Sequence, residues 1–246
     1  MATAVAVTPP LRVPGNAVLA VLRALGRALP LVVSPRLIVA LLRWLAAAFA
    51  VWLVVGVLVY APATAALAHI LGAAGGGQVA IKALVVVLLV IAALLTALVA
   101  IAVFTMPLIV RLVAQRHFPA LEMRHGGTWH GGLRNALGAV VVFLPMWLAC
   151  LFLLPLPPLY VAATWCASAW FNQRLFRYDA LAEHADREEL ARLPGAMRGR
   201  MFALGLVLAP LALVPFVNLL VPLLAGIAFA CLCLAALAQA RTARSA

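Results

Sequence analysis

From Leu37 to Met106 the chain carries two formal charges, Arg43 and Lys82, in a nearly unbroken run of Leu, Val, Ala and Ile. A run of that kind leaves a water-soluble domain too little polar surface to cover itself. The rest of the sequence agrees: 67% of residues are hydrophobic and 10% charged, against about 45–50% and about 25% in soluble domains. Lipid must therefore solvate part of the surface, in helices long enough to cross it.

The runs divide into segments. Pro14 to Val33 is amphipathic, with Asn16, Arg23, Arg27 and Ser34 on one narrow stripe, the pattern of a helix lying in the interface plane. Pro30 and Pro35 should kink and then end it. Leu37 to Tyr60 is a first span of about 36 Å at 1.5 Å per residue, followed by a loop over 61–78 and a second span, Val79 to Met106. Pro107 to His117 reads as another interfacial helix. Ala136–Leu154, the turn Pro155–Pro158 and Leu159–Phe171 make one hairpin, and Met201–Ala240, broken by Pro210, Pro215 and Pro222, makes another. The limb Met201–Val214 is about 21 Å long, short of a core of about 30 Å, so this last hairpin is expected to dip in and return.

Eighteen basic residues against six acidic ones give a net charge of +12. The arginines fall in the N-terminal region, in 107–135, in 174–200 and at the tail, whereas 61–78, 155–158 and 215–220 contain no Lys or Arg. By the positive-inside rule this places the charged loops and both termini in the cytoplasm of a bacterial inner membrane. It also accounts for the basic excess without nucleic acid. The early apolar run carries Arg23 and Arg27 and has no basic stretch before it, unlike a secretory signal.

Few residues suggest chemistry. Ser34 could cap the first span with Pro35 at its first position, and Arg36 beside those free N–H groups would make an oxyanion site. Arg23 and Arg27 could line an entrance or hold the helix to headgroups. Asn218, between Pro215 and Pro222, lies at the tip of the last hairpin. His117, His125 and His130 match no metal-ligand spacing, and Cys231 and Cys233 point to different faces of a helix. Tyr178, Asp179, Glu183, His184 and Asp186 have no accompanying nucleophile and read as a structural cap, with Glu183 and Arg187 an i,i+4 pair. Neither an enzyme, a metal nor a cofactor is expected.

From Phe171 the chain reads FNQRLFRYDALAEHADREEL, preceded by Trp165 and Trp170, and ends in a hairpin bearing Pro215-Phe216-Val217-Asn218 and then Pro222. In this pattern, over roughly 16–240, it resembles the etoposide-induced membrane protein family, which includes the bacterial CysZ-type sulfate permeases. The resemblance implies an inner-membrane protein with two long spans and two partly penetrating hairpins, assembled from several copies. It also implies an anion near a Gly-x-Arg turn before the first long span. The matching stretch is Val33-Ser34-Pro35-Arg36-Leu37, where the arginine is present and the glycine is not. Arg134-Asn135 stands where the permeases carry an Arg-Glu type of pair.

The fold expected is therefore an all-α integral membrane protein with an interfacial N-terminal helix, two long transmembrane helices and two Pro-tipped hairpins. Residues 1–13 are expected without structure, 14–240 form a single membrane domain, and 241–246 are a tail. The function expected is a permease or channel-like protein for a small anion, sulfate by resemblance. The alternative is a protein that organises lipid or partner proteins without transporting.

Overall fold

The computed structural model describes residues 16–72, 76–214 and 217–245, so the expectation for 1–13 and the position of Pro215 lie outside the described residues. Among the described residues the chain is helical, with no strand. The helices are α1 (Ala17–Val32), α2 (Pro35–Leu71), α3 (Gly76–His117), α4 (Trp129–Cys150), α5 (Pro157–Ala182), α6 (Arg187–Ala196), α7 (Arg198–Leu208) and α8 (Val217–Ser245). Short 3₁₀ segments follow α4 (Leu151–Leu153) and α7 (Ala209–Leu213). Among the described residues four stretches are long and apolar enough to cross a membrane: Pro35–Leu71, Gly77–Ala97, Trp129–Leu153 and Leu220–Arg244. The protein is thus an all-α, multi-pass membrane protein.

The chain forms two compact units, Ser34–Met106 and Met1–Val33 with Pro107–Ala246. The first holds α2 and most of α3. Here the expected loop over 61–78 is corrected: α2 continues to Leu71. Ala61–Leu71 is rich in Ala and Leu, which favour helix, and the chain carries Pro62 within it while Thr64 Oγ1 donates to the Ala61 carbonyl (3.0 Å). Gly72 then stops the helix in the left-handed region (φ +59°), with its N–H directed at the Ala68 and His69 carbonyls, a conformation that glycine adopts without a Cβ penalty. Trp52 Nε1 donates to Thr96 Oγ1 (2.9 Å), and Thr96 Oγ1 donates to the Ala92 carbonyl (2.8 Å). Trp44 stacks on Phe104 at 4.3 Å.

A second correction concerns Pro107–His117, which is the last part of α3 and no separate helix. Proline removes one backbone donor, and a membrane helix can re-form around that single loss.

The second unit is built around α8. In its apolar window 83% of residues are buried, against 6% in the window of α2. A helix apolar on every side is stable when other helices enclose it, and α1, α5 and α7 pack on α8. Ile227, Phe229, Leu234 and Leu237 are fully enclosed, and Cys231 and Cys233 lie buried as free thiols. α8 also runs through Arg241 to Ser245, across the position where a tail is expected to begin. α5 and α7 approach closely because Gly205 has no side chain: a Cβ there would lie 2.7 Å from the Ala169 carbonyl. Trp165 Nε1 donates to the Leu206 carbonyl (2.7 Å) across the same pair.

Candidate functional site

Ser34 is extended (φ −64°, ψ 126°) and stands at the N-terminus of α2, with Pro35 in the first turn. The expected side-chain cap is absent: the Ser34 hydroxyl makes no capping hydrogen bond. Its carbonyl instead accepts from Leu37 N–H (3.0 Å) and Ile38 N–H (3.1 Å). Pro35 has no N–H, and Leu37 is already engaged, so the first turn offers an anion little more than Arg36 N–H, the Ser34 hydroxyl and the exposed Arg36 guanidinium.

Arg23 and Arg27 lie on α1, whose buried residues are Val21, Ala24, Ala28 and Leu31. Arg23 is exposed, whereas Arg27 is half-buried with its guanidinium 5.3 Å over the Phe118 ring, a cation–π contact. Burial lowers the pKa of His117, and the charges of Arg27 and Arg116 lower it further, so its imidazole favours the neutral form. At the last hairpin, Asn218 falls in the first turn of α8 and Pro222 lies exposed inside that helix. The Asn218 side chain and all of Pro215 are outside the described residues.

The structure assembles a charged network that the sequence does not announce. Glu189 is 2% exposed and accepts from Arg241 Nε (3.0 Å) and Nη2 (2.8 Å) in a fork-to-fork pair. Arg241 Nη2 also donates to the His184 carbonyl (2.7 Å) and Nη1 to the Glu122 carbonyl (3.0 Å). Asp186 and Glu189 form a reciprocal capping box at the start of α6, each accepting the other's N–H at 2.8–2.9 Å. Arg124 Nη1 donates to Asp186 Oδ2 (3.2 Å).

Glu183 is the C-cap of α5 and pairs with Arg111 at 3.1 Å. The i,i+4 pairing expected with Arg187 is lost because Arg187 begins a different helix; the pair of that spacing is Glu188 with Arg192. His125, Gly126 and Gly127 donate their N–H groups to the carbonyls of Glu183, Ala185 and Ala182. A Cβ on Gly126 or Gly127 would collide with the Asp186 or Ala182 backbone, so both glycines are required by close approach. His184 is fully buried, with neither ring nitrogen hydrogen-bonded. Burial is the main reason its pKa falls, and the imidazole is held neutral.

Burial would raise the Glu189 carboxyl, but hydrogen bonds from Arg241 and from the Asp186 N–H overcome it, and the net shift is downward. Asp186 behaves alike: burial opposes the Glu189 N–H and Arg124, which hold it below its ordinary value. Asp179 has no such donors. Burial pushes its carboxyl up to about 6. The acids of 183–189 are thus committed to holding helix ends and the 118–128 loop together, which is structural work. The sequence signal for part of this was D-x-x-E at Asp186–Glu189, a helix-start signature.

Residues 24–222 match the family model described as sulfate transporter CysZ/etoposide-induced protein 2.4. Comparison with curated proteins and with solved structures gave no match. The match covers most of the chain, from within α1 through α7 to the first residues of α8. The chain belongs to the CysZ/etoposide-induced protein 2.4 family of membrane proteins.

Proposed function

We propose that this chain is an inner-membrane permease or channel-like protein for a small inorganic anion, with sulfate as the substrate and no catalytic step. The observation that carries this reading is the family match over 24–222, whose description names sulfate transport. The basic excess at helix ends supports it, since such positions raise the local concentration of anions. Arg36 and Ser34 at the start of α2 would receive the ion. Arg23 and, less freely, Arg27 would draw it to the membrane surface.

One observation favours the second reading, a membrane protein that organises lipid or partners without transport. From Leu223 to Ala240 the buried helix α8 carries only apolar and thiol side chains toward its neighbours, and a charge at membrane depth is the usual mark of a pathway. The apolar α8 fits the permease reading as well if several copies assemble and the ion passes between them. We infer such an assembly, with both termini in the cytoplasm and the last hairpin re-entering.

The test is uptake of labelled sulfate into liposomes holding the purified protein. Uptake above that of empty liposomes, reduced roughly tenfold by Arg36→Ala as expected for one lost charge-assisted contact, supports the permease. Uptake no greater than in empty liposomes, for sulfate and other small anions, rules it out and leaves the organising role.

A further inference from the structure

The acids of the charged network are taken: Glu183 by Arg111, Asp186 by Arg124, Glu188 by Arg192 and Glu189 by Arg241. One group of cations stands outside it. Arg174 and Arg177 lie three apart on α5 and so leave the same face of that helix. Arg198 opens α7, which packs on α5. None of the three forms an ion pair with a carboxylate among the described residues.

Arg174 and Arg177 are half-buried. Arg174 Nε is enclosed and has no hydrogen-bond partner, and its guanidinium rests 5.6 Å from the Trp170 ring. Burial lowers the pKa of Arg177, and the charges of Arg174 and Arg198 lower it further, with no carboxylate acting in the other direction. α7 adds to the imbalance: no side chain caps its start and no acid occupies its first turn, so the positive end of its dipole is uncompensated. Half-buried like charges repel in a low-dielectric setting, and an empty, enclosed N–H donor costs free energy. A ligand that removes both penalties must be anionic and rich in acceptors. Guanidinium forks fit the oxygens of a tetrahedral oxyanion in pairs.

We propose that Arg174, Arg177 and Arg198 form a binding site for a tetrahedral oxyanion of the phosphate or sulfate class, carried as a free ion or as the headgroup of an anionic phospholipid. The site lies on α5 and α7 and is independent of Arg36 and of whether the protein transports.

The full chain, purified in detergent, serves for the test. Equilibrium binding of labelled sulfate and labelled phosphate reads the free ion, and native mass spectrometry after addition of phosphatidylglycerol reads the lipid. Arg177→Gln and Arg198→Gln should each weaken one of these ligands about tenfold or more, while Arg187→Gln, exposed at the start of α6, leaves that binding unchanged. Loss of the inorganic ions alone assigns a free-ion site, and loss of phosphatidylglycerol alone assigns a lipid site. Binding of all three ligands at wild-type strength in both variants overturns the proposal. So does an ion affinity that falls only with Arg36→Gln, which would leave the permease reading standing. Arg198 is exposed at a helix start, so its variant decides the question even if Arg177→Gln does not fold.

Discussion

Glu189 ties Arg241 near the end of α8 to the start of α6. It is almost wholly enclosed, its two oxygens are shared between Arg241 and the Asp186 N–H, and Arg124 stands 3.8 Å away. Removing one partner of a buried pair leaves the other charge uncompensated, at about 3–5 kcal/mol. Glu189→Gln should therefore lower the thermal midpoint in detergent sharply, while Glu188→Gln, half exposed, should cost within about 0.5 kcal/mol. The two kinds of carboxyl give opposite pH slopes. Glu189 and Asp186 are held below their ordinary values, so the stability they contribute is complete above the usual carboxylate range and is lost as pH falls beneath it. Asp179 is raised to about 6; folding favours its neutral form, so its contribution weakens as pH climbs from the ordinary carboxylate value through that point. Asp179→Asn should then stabilise the protein by roughly 2 kcal/mol at pH 7.5 and leave it unchanged at acid pH, by the linkage of pKa shift to folding. Thermal melts of both proteins across pH 4–8 check this, and equal midpoints at pH 7.5 would refute it.

Among the elements, close approach and open space predict contrary outcomes for the same substitution. Gly205 on α7 sits against Ala169 with no room for a methyl group, whereas a Cβ at Gly138 on α4 meets nothing within 4 Å. Gly205→Ala should cost about 1–3 kcal/mol by overpacking, and Gly138→Ala should gain about 0.5–1 kcal/mol by helix propensity; thermal midpoints of the two variants should move apart. The sequence showed the elements through the lengths of its apolar runs, because a run of lipid-soluble residues is constrained locally by what solvates it. It placed α1, both long helices, the Pro155–Pro158 turn and the short limb before Pro215. It failed over Ala61–Leu71, where proline and weak polarity suggested a loop but Ala-rich propensity and the Gly72 stop prevailed. The Glu189–Arg241 pair was illegible for a different reason: its partners are 52 positions apart, and no local pattern records which arginine reaches which acid. At Ser34 the sequence suggested a side-chain cap that does not form, and the Ser34 carbonyl instead accepts from Leu37 N–H.

For the whole molecule, helix length bears on how deeply each hairpin enters the bilayer. α4 with its 3₁₀ extension covers Trp129–Leu153, 25 residues, and α5 has 26. At 1.5 Å per residue each reaches about 38 Å, more than a hydrocarbon core of about 30 Å. α7 with its 3₁₀ extension covers 11 and 5 residues, about 26 Å at 1.5 and 2.0 Å per residue, still short of the core. The turn near Leu156 should therefore emerge on the face away from the termini, and the start of α8 should remain at membrane depth. Both statements can be tested by single cysteines in a background where Cys150, Cys166, Cys231 and Cys233 are replaced. A membrane-impermeant maleimide added to intact cells should label Leu156→Cys and leave Val217→Cys unlabelled, and Val217→Cys should also resist the reagent in inside-out vesicles. Labelling of Val217→Cys in intact cells would mean that the last hairpin crosses completely. Because α8 is long enough to do so by itself, that result would move the burden to α7, which could bridge the remaining depth only if the bilayer thins around it.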